Sequence, residues 1–242
     1  MEQITFTDKI SVQLVQQMGG DHMVVAAAKV STSGVDALQW ATKENVEGSK
    51  GLINYLMKQR HGSAFEHSSL TFFVHAPIFV WREFHRHRVG FSFNESSARY
   101  SKMEAIFWIP PRQRKIKPVE GFKAARPEFQ AGDDETYNWL VEDLKEGYRD
   151  AYSRYENRLS KGIAREVARA GLPVGIYSSC WVTCNPRSLM HFLSLRTHDK
   201  TAKYVSYPQA EIEIAAKAIE EVFKVGWPIT HQAFIDNGRV SP

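Results

Sequence analysis

Arginine and histidine alternate from His85 to Arg88, and a polar segment that ends in Arg99 and Tyr100 follows. Guanidinium groups form forked hydrogen bonds with phosphate oxygens, and the serines and backbone N–H groups of such a loop add neutral donors. On a helix, Arg86 and Arg88 would lie about 200° apart around the axis. One helix end would then contact two anionic ligands, or one ligand in each of two subunits. The alternative is a charged helix end whose cations complement the helix dipole.

Two other segments place arginines at helical spacing. Arg165 and Arg169 lie four residues apart and share one face of a predicted helix. Arg187 and Arg196 lie nine residues apart, which is about 180° around the axis of a second predicted helix. Surface arginines are the alternative for each pair, but three such segments in one chain favour the binding of anionic ligands.

The basic residues are concentrated in residues 82–102 and 112–126. These stretches hold eleven basic and three acidic residues, a net charge of +8, whereas the whole 242-residue chain has a net charge of +4. Such local surpluses indicate phosphate-bearing ligands, and a solvated basic face is the alternative for 112–126. A rival hypothesis is an RNA- or DNA-binding protein that uses residues 82–126. The net acidic remainder argues against it, so no nucleic-acid partner is expected.

Cys180 and Cys184 are the only cysteines, which excludes a disulfide scaffold and a four-cysteine zinc site. They are spaced to share one face of a β-prone run, which predicts buried and unreactive thiols. The histidines that suggest a metal are His61, His67, His85 and His87. Their spacing fits no zinc signature, so no metal is predicted. Without an apolar run of 18 residues or a signal pattern, a cytoplasmic protein that does not associate with membranes is expected.

Hydrophobic periodicity predicts a single α+β domain over residues 1–242. The predicted strands cover residues 11–16, 69–75 and 176–184. The predicted helices cover residues 21–30, 49–59, 77–88, 134–159, 163–172, 186–196, 211–225 and 229–236. Asp21 and Asn185 are expected to cap the helices that follow them. Residues 104–134 are rich in proline and lack a clean period, so they are expected to form a loop-like excursion.

At this point the chain resembles the flavin-dependent thymidylate synthases, the ThyX family. The triplet Arg86-His87-Arg88 is followed by a serine and then by Arg99-Tyr100-Ser101, in the order of the family signature. The likeness continues through residues 29–31, 61–67, 76–80, 165–173, 185–196 and 209–212. Counting forward from the triplet selects Ser96 as the motif serine. Counting back from Arg99 selects Ser97, which is preferred because its spacing to Arg99 shapes the phosphate pocket.

The resemblance implies a ThyX-like α+β fold in which an antiparallel sheet packs with helices in a single domain. It implies a homotetramer with FAD at the subunit interfaces. The implied reaction methylates dUMP to dTMP and takes the methylene group from methylenetetrahydrofolate. NADPH would reduce the flavin, which supplies the hydride.

The resemblance also assigns site residues. The flavin positions are Ser31, Ser63, Glu66, Arg86, His87, Arg88, Val89, Asn185, Arg187 and His191. The nucleotide positions are Glu83, Arg86, Glu95, Ser96, Ser97, Ala98, Arg99, Arg169 and Arg196. The catalytic positions are Arg196, Arg86 and His61. Arg196 is expected to stabilise negative charge on the uracil carbonyls, and His61 matches a histidine linked to folate and flavin access.

No enzyme nucleophile is expected, because neither cysteine has a reactive context and no base lies next to the motif serine. The flavin would then carry the difficult chemistry, and the protein would bind, orient and polarise the substrates. The chain departs from the family pattern at Glu83, where glutamine is common, at His191, where asparagine is frequent, and in an apparent insertion at 200–207. A carboxylate at Glu83 would repel phosphate. These departures leave open a homologue that binds flavin without turnover.

Overall fold

The structure is a computed structural model that describes residues 3–43, 46–123 and 126–242. The strands are β1 (Thr5–Thr7), β2 (Ser11–Met18), β3 (Ser69–Pro77), β4 (Phe91–Glu95), β5 (Ile106–Trp108), β6 (Lys117–Pro118), β7 (Phe129–Gln130) and β8 (Tyr177–Cys184). The α-helices are α1 (Asp21–Ser33), α2 (Leu38–Ala41), α3 (Lys50–Lys58), α4 (Ile78–Phe84), α5 (Asp134–Ser160), α6 (Arg165–Ala168), α7 (Pro186–Arg196), α8 (Ala210–Gly226) and α9 (Pro228–Asp236). Within this described part of the chain, no helix is both long enough and apolar enough to cross a membrane.

Four of the strands form one sheet in the order β2-β3-β8-β4. Strands β3 and β8 are antiparallel, because residues later in β3 contact residues earlier in β8. The hydroxyls of Thr71 and Thr183 lie 3.0 Å apart, and the rings of His75 and Tyr177 lie 4.9 Å apart. The buried side chains of the β3 core face are Leu70, Phe72, Val74 and Ala76, as a period of two requires. The expected α+β class with an antiparallel sheet and helices is confirmed.

The described residues form two compact units, each assembled from three chain segments. The first unit comprises the described residues up to Ser11 together with His75–Glu83 and Glu95–Cys180. The second comprises Val12–Val74, Phe84–Asn94 and Trp181–Pro242. Strands β3, β4 and β8 each contribute residues to both units. Because neither unit is one continuous stretch, the expectation of a single domain over residues 1–242 stays a prediction.

An aromatic core on helix α5 organises the first unit. Tyr148, Tyr152 and Tyr155 are buried, and their spacing of four and three residues places them on one face of α5. The ring of Phe107 in β5 lies 4.8 Å from that of Tyr148, and β5 pairs in parallel with β1. The expected excursion over residues 104–134 therefore begins inside the core. Ala105 and Phe107 are buried there, and Ile106–Trp108 form strand β5.

The later part of this segment is held to the start of α5 by ion pairs. Arg112 pairs with Asp134, and Lys117 lies 2.8 Å from Asp133. Asp133 also caps α5 by accepting a hydrogen bond from the Thr136 N–H at 2.7 Å. The Lys117 ammonium and this backbone bond hold the pKa of Asp133 well below its usual range. Two of the basic residues in 112–126 thus serve the fold, which favours the structural explanation for that stretch.

Helix α4 ends earlier than the sequence pattern predicts. It begins after Pro77 and ends at Phe84, so that neither Arg86 nor Arg88 lies on a helix. The His87 N–H donates to the Phe84 carbonyl in a turn, and the side chain of His87 is 5% exposed. Burial of this ring requires the chain to leave the helix. The placement of the two arginines on opposite helix faces is therefore wrong.

Of the two predicted helix caps, one is confirmed and one is wrong. Asn185 caps α7 as predicted, since its side chain accepts a hydrogen bond from the Ser188 N–H at 2.8 Å. Asp21 does not cap its own helix: its carboxylate accepts hydrogen bonds from the N–H groups of Ile229 and Thr230, at 2.8 and 2.9 Å. Asp21 therefore caps α9, and burial raises its pKa. The predicted helix over 163–172 is only α6, followed by a 3-10 turn.

A buried ion pair lies behind the C-terminal end of α7 in the second unit. Arg239 is 7% exposed, and its guanidinium donates to both carboxylate oxygens of Glu220 at 2.8 and 2.9 Å. It also donates to Thr197 Oγ1 at 2.7 Å, and His231 lies 3.0 Å from Glu220. Burial raises the pKa of Glu220, but the hydrogen bonds from His231 and Arg239 outweigh it and lower the pKa to about 2.

Removing the cation of this pair should leave a buried carboxylate uncompensated. We expect Arg239→Ala to lower the free energy of unfolding by about 3 kcal/mol in urea titrations at pH 7. Arg154 forms an exposed i,i+4 pair with Asp150, so Arg154→Ala should change it by about 0.5 kcal/mol or less. Equal effects of the two substitutions would contradict this role of Arg239.

Candidate active site

A cavity of about 430 Å³ lies within the first unit. The expected nucleotide residues that border it are Glu95, Ser96, Ser97, Ala98 and Arg169. Its other polar side chains are those of Arg82 and Ser178, and its apolar wall consists of Ile78, Met103, Leu172, Pro173, Val174 and Ile176. The cavity has the size and mixed lining of a small-molecule site. The two guanidinium groups and three hydroxyls among the lining residues suit a phosphate-bearing ligand.

A tight turn after β4 presents the two serines of the cavity. The Ser96 N–H donates to the Ser179 carbonyl of β8 at 2.8 Å, which is where β4 stops. Ser97 then starts the turn: its carbonyl accepts hydrogen bonds from the N–H groups of Tyr100 and Ser101 at 3.0 and 3.1 Å. Its Oγ accepts a hydrogen bond from the Arg99 N–H at 3.3 Å. The turn thus fixes the Ser97 hydroxyl at the cavity rim, and both candidate motif serines remain at the rim.

Arg99 differs from the other expected phosphate residues. Its Nε donates to Glu166 Oε2 at 2.8 Å, and its side chain is not part of the cavity border. In the opposite direction, Arg165 of α6 donates a hydrogen bond to the Tyr100 carbonyl of the turn at 3.3 Å. These two interactions join the serine turn to α6. In this structure Arg99 therefore supports the turn, and Arg169 is the expected phosphate arginine that borders the cavity.

A second cavity, of about 660 Å³, lies within the second unit. The expected flavin residues that border it are Glu66 and Asn185. Its remaining border consists of Met18, His67, Ser68, Ser69, Gly90, Phe91, Ser92, Thr183 and Cys184. Gly90 has φ +68°, and a Cβ there would collide with Ser188. Only glycine allows the chain to pass this close to the start of α7.

Arg187 contacts Glu66, a residue on the border of the second cavity, and links three chain segments. Its Nη1 donates to Glu66 Oε1 at 2.6 Å, and its Nε donates to the Pro242 carbonyl at 2.8 Å. Gly62 lies against the same guanidinium, where any Cβ would collide with it. The side chain of Arg187 is partly exposed. A fixed, partly exposed guanidinium beside a cavity is suited to a phosphate or pyrophosphate oxygen.

His87 and Arg196 form a hydrogen bond in the second unit. Arg196 Nε donates to His87 Nε2 at 2.9 Å, so this nitrogen is unprotonated. Burial, the Arg196 cation and His191 lower the pKa of His87 to about 4. The His87 ring also packs edge-on against Phe192 at 4.9 Å. The expected catalytic arginine is thus held by a neutral imidazole.

The remaining expected residues border neither cavity. The exposed ones are Ser31, His61, Ser63, Arg86, Arg88, Val89 and His191. Glu83 is partly buried. His61 has its ring 6.0 Å from that of Tyr55, and His191 has its ring 6.0 Å from that of His87. The structure therefore gathers about half of the nucleotide set and part of the flavin set, and their roles remain predictions.

Sequence reasoning missed two polar residues of the first cavity, Arg82 and Ser178. Arg82 belongs to the basic stretch 82–102 and lies one turn before Arg86, but its sequence context predicts no role for it. Ser178 lies in β8, and the alternation of that strand places it on the same face as Cys180. That alternation was visible in the sequence. The approach of α4 and of the serine turn to this strand was not.

The two thiols match the expectation of buried groups. Cys180 and Cys184 are buried and form no disulfide, and burial raises the pKa of Cys184 to about 12. A thiol with such a pKa supplies almost no thiolate at pH 7. In the part of the chain that the structure describes, no three histidine, cysteine, aspartate or glutamate side chains cluster as a metal site would require.

The buried His87 should make stability depend on pH. Its pKa is lower in the folded chain than the ordinary value near 6.5, so the unfolded chain binds the proton first as the pH falls. We expect this residue to cost about 2 kcal/mol of unfolding free energy between pH 7 and pH 5. The His87→Gln variant should lack that part of the pH dependence in urea titrations. His61→Gln, at an exposed histidine, should retain it, and an unchanged pH profile in His87→Gln would refute the assignment.

Comparisons with known proteins identify relatives of the whole chain. The family model described as thymidylate synthase complementing protein matches residues 13–229. The flavin-dependent thymidylate synthase of Streptomyces coelicolor is 49% identical over 239 residues, which cover 99% of this chain and 96% of that protein. That of Tropheryma whipplei strain TW08/27 is 46% identical and covers 98% of this chain and 97% of the relative.

A solved structure with the same fold is that of PolB from Streptomyces cacaoi, a UMP/dUMP methylase bound with 5-Br UMP. It superposes with a TM-score of 0.89 at 44% identity and covers 99% of this chain and 100% of that one. With matches that extend over nearly its whole length, the chain belongs to the family of flavin-dependent thymidylate synthases.

Proposed function

We propose that this protein methylates dUMP to dTMP, with methylenetetrahydrofolate as the carbon donor and FAD, reduced by NADPH, as the hydride donor. The observation that carries the proposal is the cavity at which Ser97, Arg169 and Arg82 meet in a chain of this family. The uracil C5–H is replaced by a methyl group built from the methylene carbon and one hydride. Tetrahydrofolate and NADP⁺ are the other products. The proposal keeps the cytoplasmic location expected from the sequence.

In this proposal the first cavity holds the nucleotide. The two guanidinium groups and the serine hydroxyls bind the phosphate, since charge-assisted hydrogen bonds to phosphate are short and strong. Glu95 borders the same cavity and accepts a hydrogen bond from a sugar hydroxyl. A volume of about 430 Å³ suits one nucleoside monophosphate. Arg169 is the residue on which the assignment depends most, because the resemblance and the cavity both select it.

The residues of the second unit fit a flavin. Arg187 is held by Glu66, the close approach of Gly62 leaves room for the guanidinium, and Asn185 borders the adjacent cavity. These side chains would hold the pyrophosphate and ring edges of FAD. When bound and reduced, the flavin supplies the hydride that no side chain of the protein can provide.

Arg196 would polarise the uracil, and His87 would position Arg196. Arg196 stabilises negative charge on the carbonyls as it develops. The neutral His87 accepts a hydrogen bond from the Arg196 Nε, which fixes the guanidinium without cancelling its charge. The Cys184 thiol takes no part as a nucleophile, because burial keeps it protonated.

A homotetramer is part of the proposal, and exposed apolar side chains on the edge strand support it. β2 is at the end of the sheet order, and Leu14, Val15 and Met18 on this strand are exposed, Met18 by 58%. Trp181 and Leu195 are also exposed by nearly half. An edge strand with apolar side chains exposed on both faces is suited to pairing with another subunit. The proposed partners of this strand are other copies of the same chain.

The function is tested by omission of one substrate at a time. The purified protein should show a flavin spectrum that NADPH bleaches, and it should form dTMP only when dUMP, methylenetetrahydrofolate and NADPH are all present. Arg169→Ala should lower kcat/KM for dUMP about 100-fold, since a charged hydrogen bond to phosphate is lost. Arg154→Ala is the matched exposed control. A colourless protein that binds no added FAD would refute the proposal.

A second substrate is favoured by one specific observation. The structural relative PolB is described as acting on both UMP and dUMP, and it was solved with the bromo analogue of each. The same assay with UMP in place of dUMP tests whether this chain shares that range. Formation of 5-methyl-UMP at a comparable kcat/KM would support it, and turnover of dUMP alone would restrict the enzyme to deoxynucleotides.

A further inference from the structure

Ser178 carries a hydroxyl that the free protein leaves unpaired. It borders the first cavity and is 4% exposed. Among the residues that the structure describes, its Oγ has no hydrogen-bond partner. A buried hydroxyl without a partner destabilises the fold, because it has lost its hydrogen bonds to water and has gained none within the protein. Trp227 Nε1 is the other such group, but Trp227 borders neither cavity.

The backbone around Ser178 is, by contrast, firmly bonded. Trp81 Nε1 donates to the Ser178 carbonyl at 3.1 Å and to the Ala76 carbonyl at 3.1 Å. The Ser96 N–H donates to the carbonyl of the next residue, Ser179, at 2.8 Å. These bonds fix the strand between α4 and the serine turn. The hydroxyl therefore cannot gain a partner by a simple shift of its own backbone.

Four side chains that share the cavity border with Ser178 are hydrogen-bond donors, Glu95 is an acceptor, and the rest are apolar. Arg82 follows Trp81 on α4, Ser96 and Ser97 begin the serine turn, and Arg169 contributes a second guanidinium. Four donor side chains at one cavity, two of them guanidinium groups, match a group with several acceptor oxygens, which is the chemistry of a phosphoryl group. Alanine would fill nearly the same space without a buried hydroxyl.

We propose that Ser178 Oγ donates a hydrogen bond to a phosphoryl oxygen of the nucleotide in this cavity. The inference rests on the proposed function, which places a nucleoside monophosphate there. It makes Ser178 a binding residue that discriminates a nucleotide from its nucleoside. The unpaired hydroxyl of the free protein gains its partner when the ligand binds.

The experiment compares Ser178→Ala with the parent holoenzyme, with dUMP and deoxyuridine as the probes. Binding of dUMP should weaken about tenfold, because one hydrogen bond to a charged group is lost. Binding of deoxyuridine should be unchanged. The melting temperature without nucleotide should stay the same or rise, since the variant buries no unpaired hydroxyl. Ser179→Ala, at the neighbouring residue on the opposite strand face, should bind dUMP like the parent.

Each contrary result overturns a distinct statement. Equal weakening for dUMP and deoxyuridine would place the contact on the nucleoside and overturn the phosphoryl assignment. Unchanged binding of dUMP, with or without a lower melting temperature, would make Ser178 merely structural. When either of these results occurs although the parent binds dUMP and forms dTMP, only the Ser178 inference fails and the proposed function stands. If the parent binds no dUMP at all, both the inference and the proposed function fail.

Discussion

One backbone hydrogen bond, from the Ser96 N–H to the Ser179 carbonyl, determines where the candidate nucleotide site can form. It is the point at which β4 stops and the serine turn begins, and it joins that turn to β8. Ser97 is placed at the cavity rim by the turn, whereas Ser178 is placed there by the strand. A slip of one residue between β4 and β8 would separate the two hydroxyls, because it turns every side chain of the shifted strand to the opposite face.

Charge pairing explains why the basic stretches of the sequence do not all serve ligands. Arg112 and Lys117 are paired with Asp134 and Asp133 at the start of α5. Arg99 is paired with Glu166, a residue 67 positions away. The local surplus of positive charge is therefore partly balanced within the fold. Arg82 and Arg169 lie at a cavity, and position in the fold, more than local density of charge, selects them.

Much of the fold follows from local patterns, and the exceptions share one cause. The periodicity of α5 and the Asn185-Pro186 signal predict elements that the structure contains. The helix expected through Arg88 fails because the fold buries His87 against Phe192, a contact with a residue more than a hundred positions later. Asp21 likewise caps α9 instead of its own helix. In both cases a contact with a residue distant in the sequence determines the local structure, and the local sequence does not predict that contact.

The candidate site was predictable in its residue types but only partly in its assembly. Motif order selected Ser97 and Arg169, which the cavity brings together. It gave no role to Ser178, because a lone serine in a strand carries no signal until its neighbours are known.

The central claim, that the nucleotide occupies this cavity, is tested most directly by a crystal structure with 5-bromo-dUMP, whose bromine can be located by anomalous scattering. The account predicts phosphate density within hydrogen-bond distance of Ser97 and Arg169. Ordered nucleotide elsewhere, with this cavity empty, would contradict it.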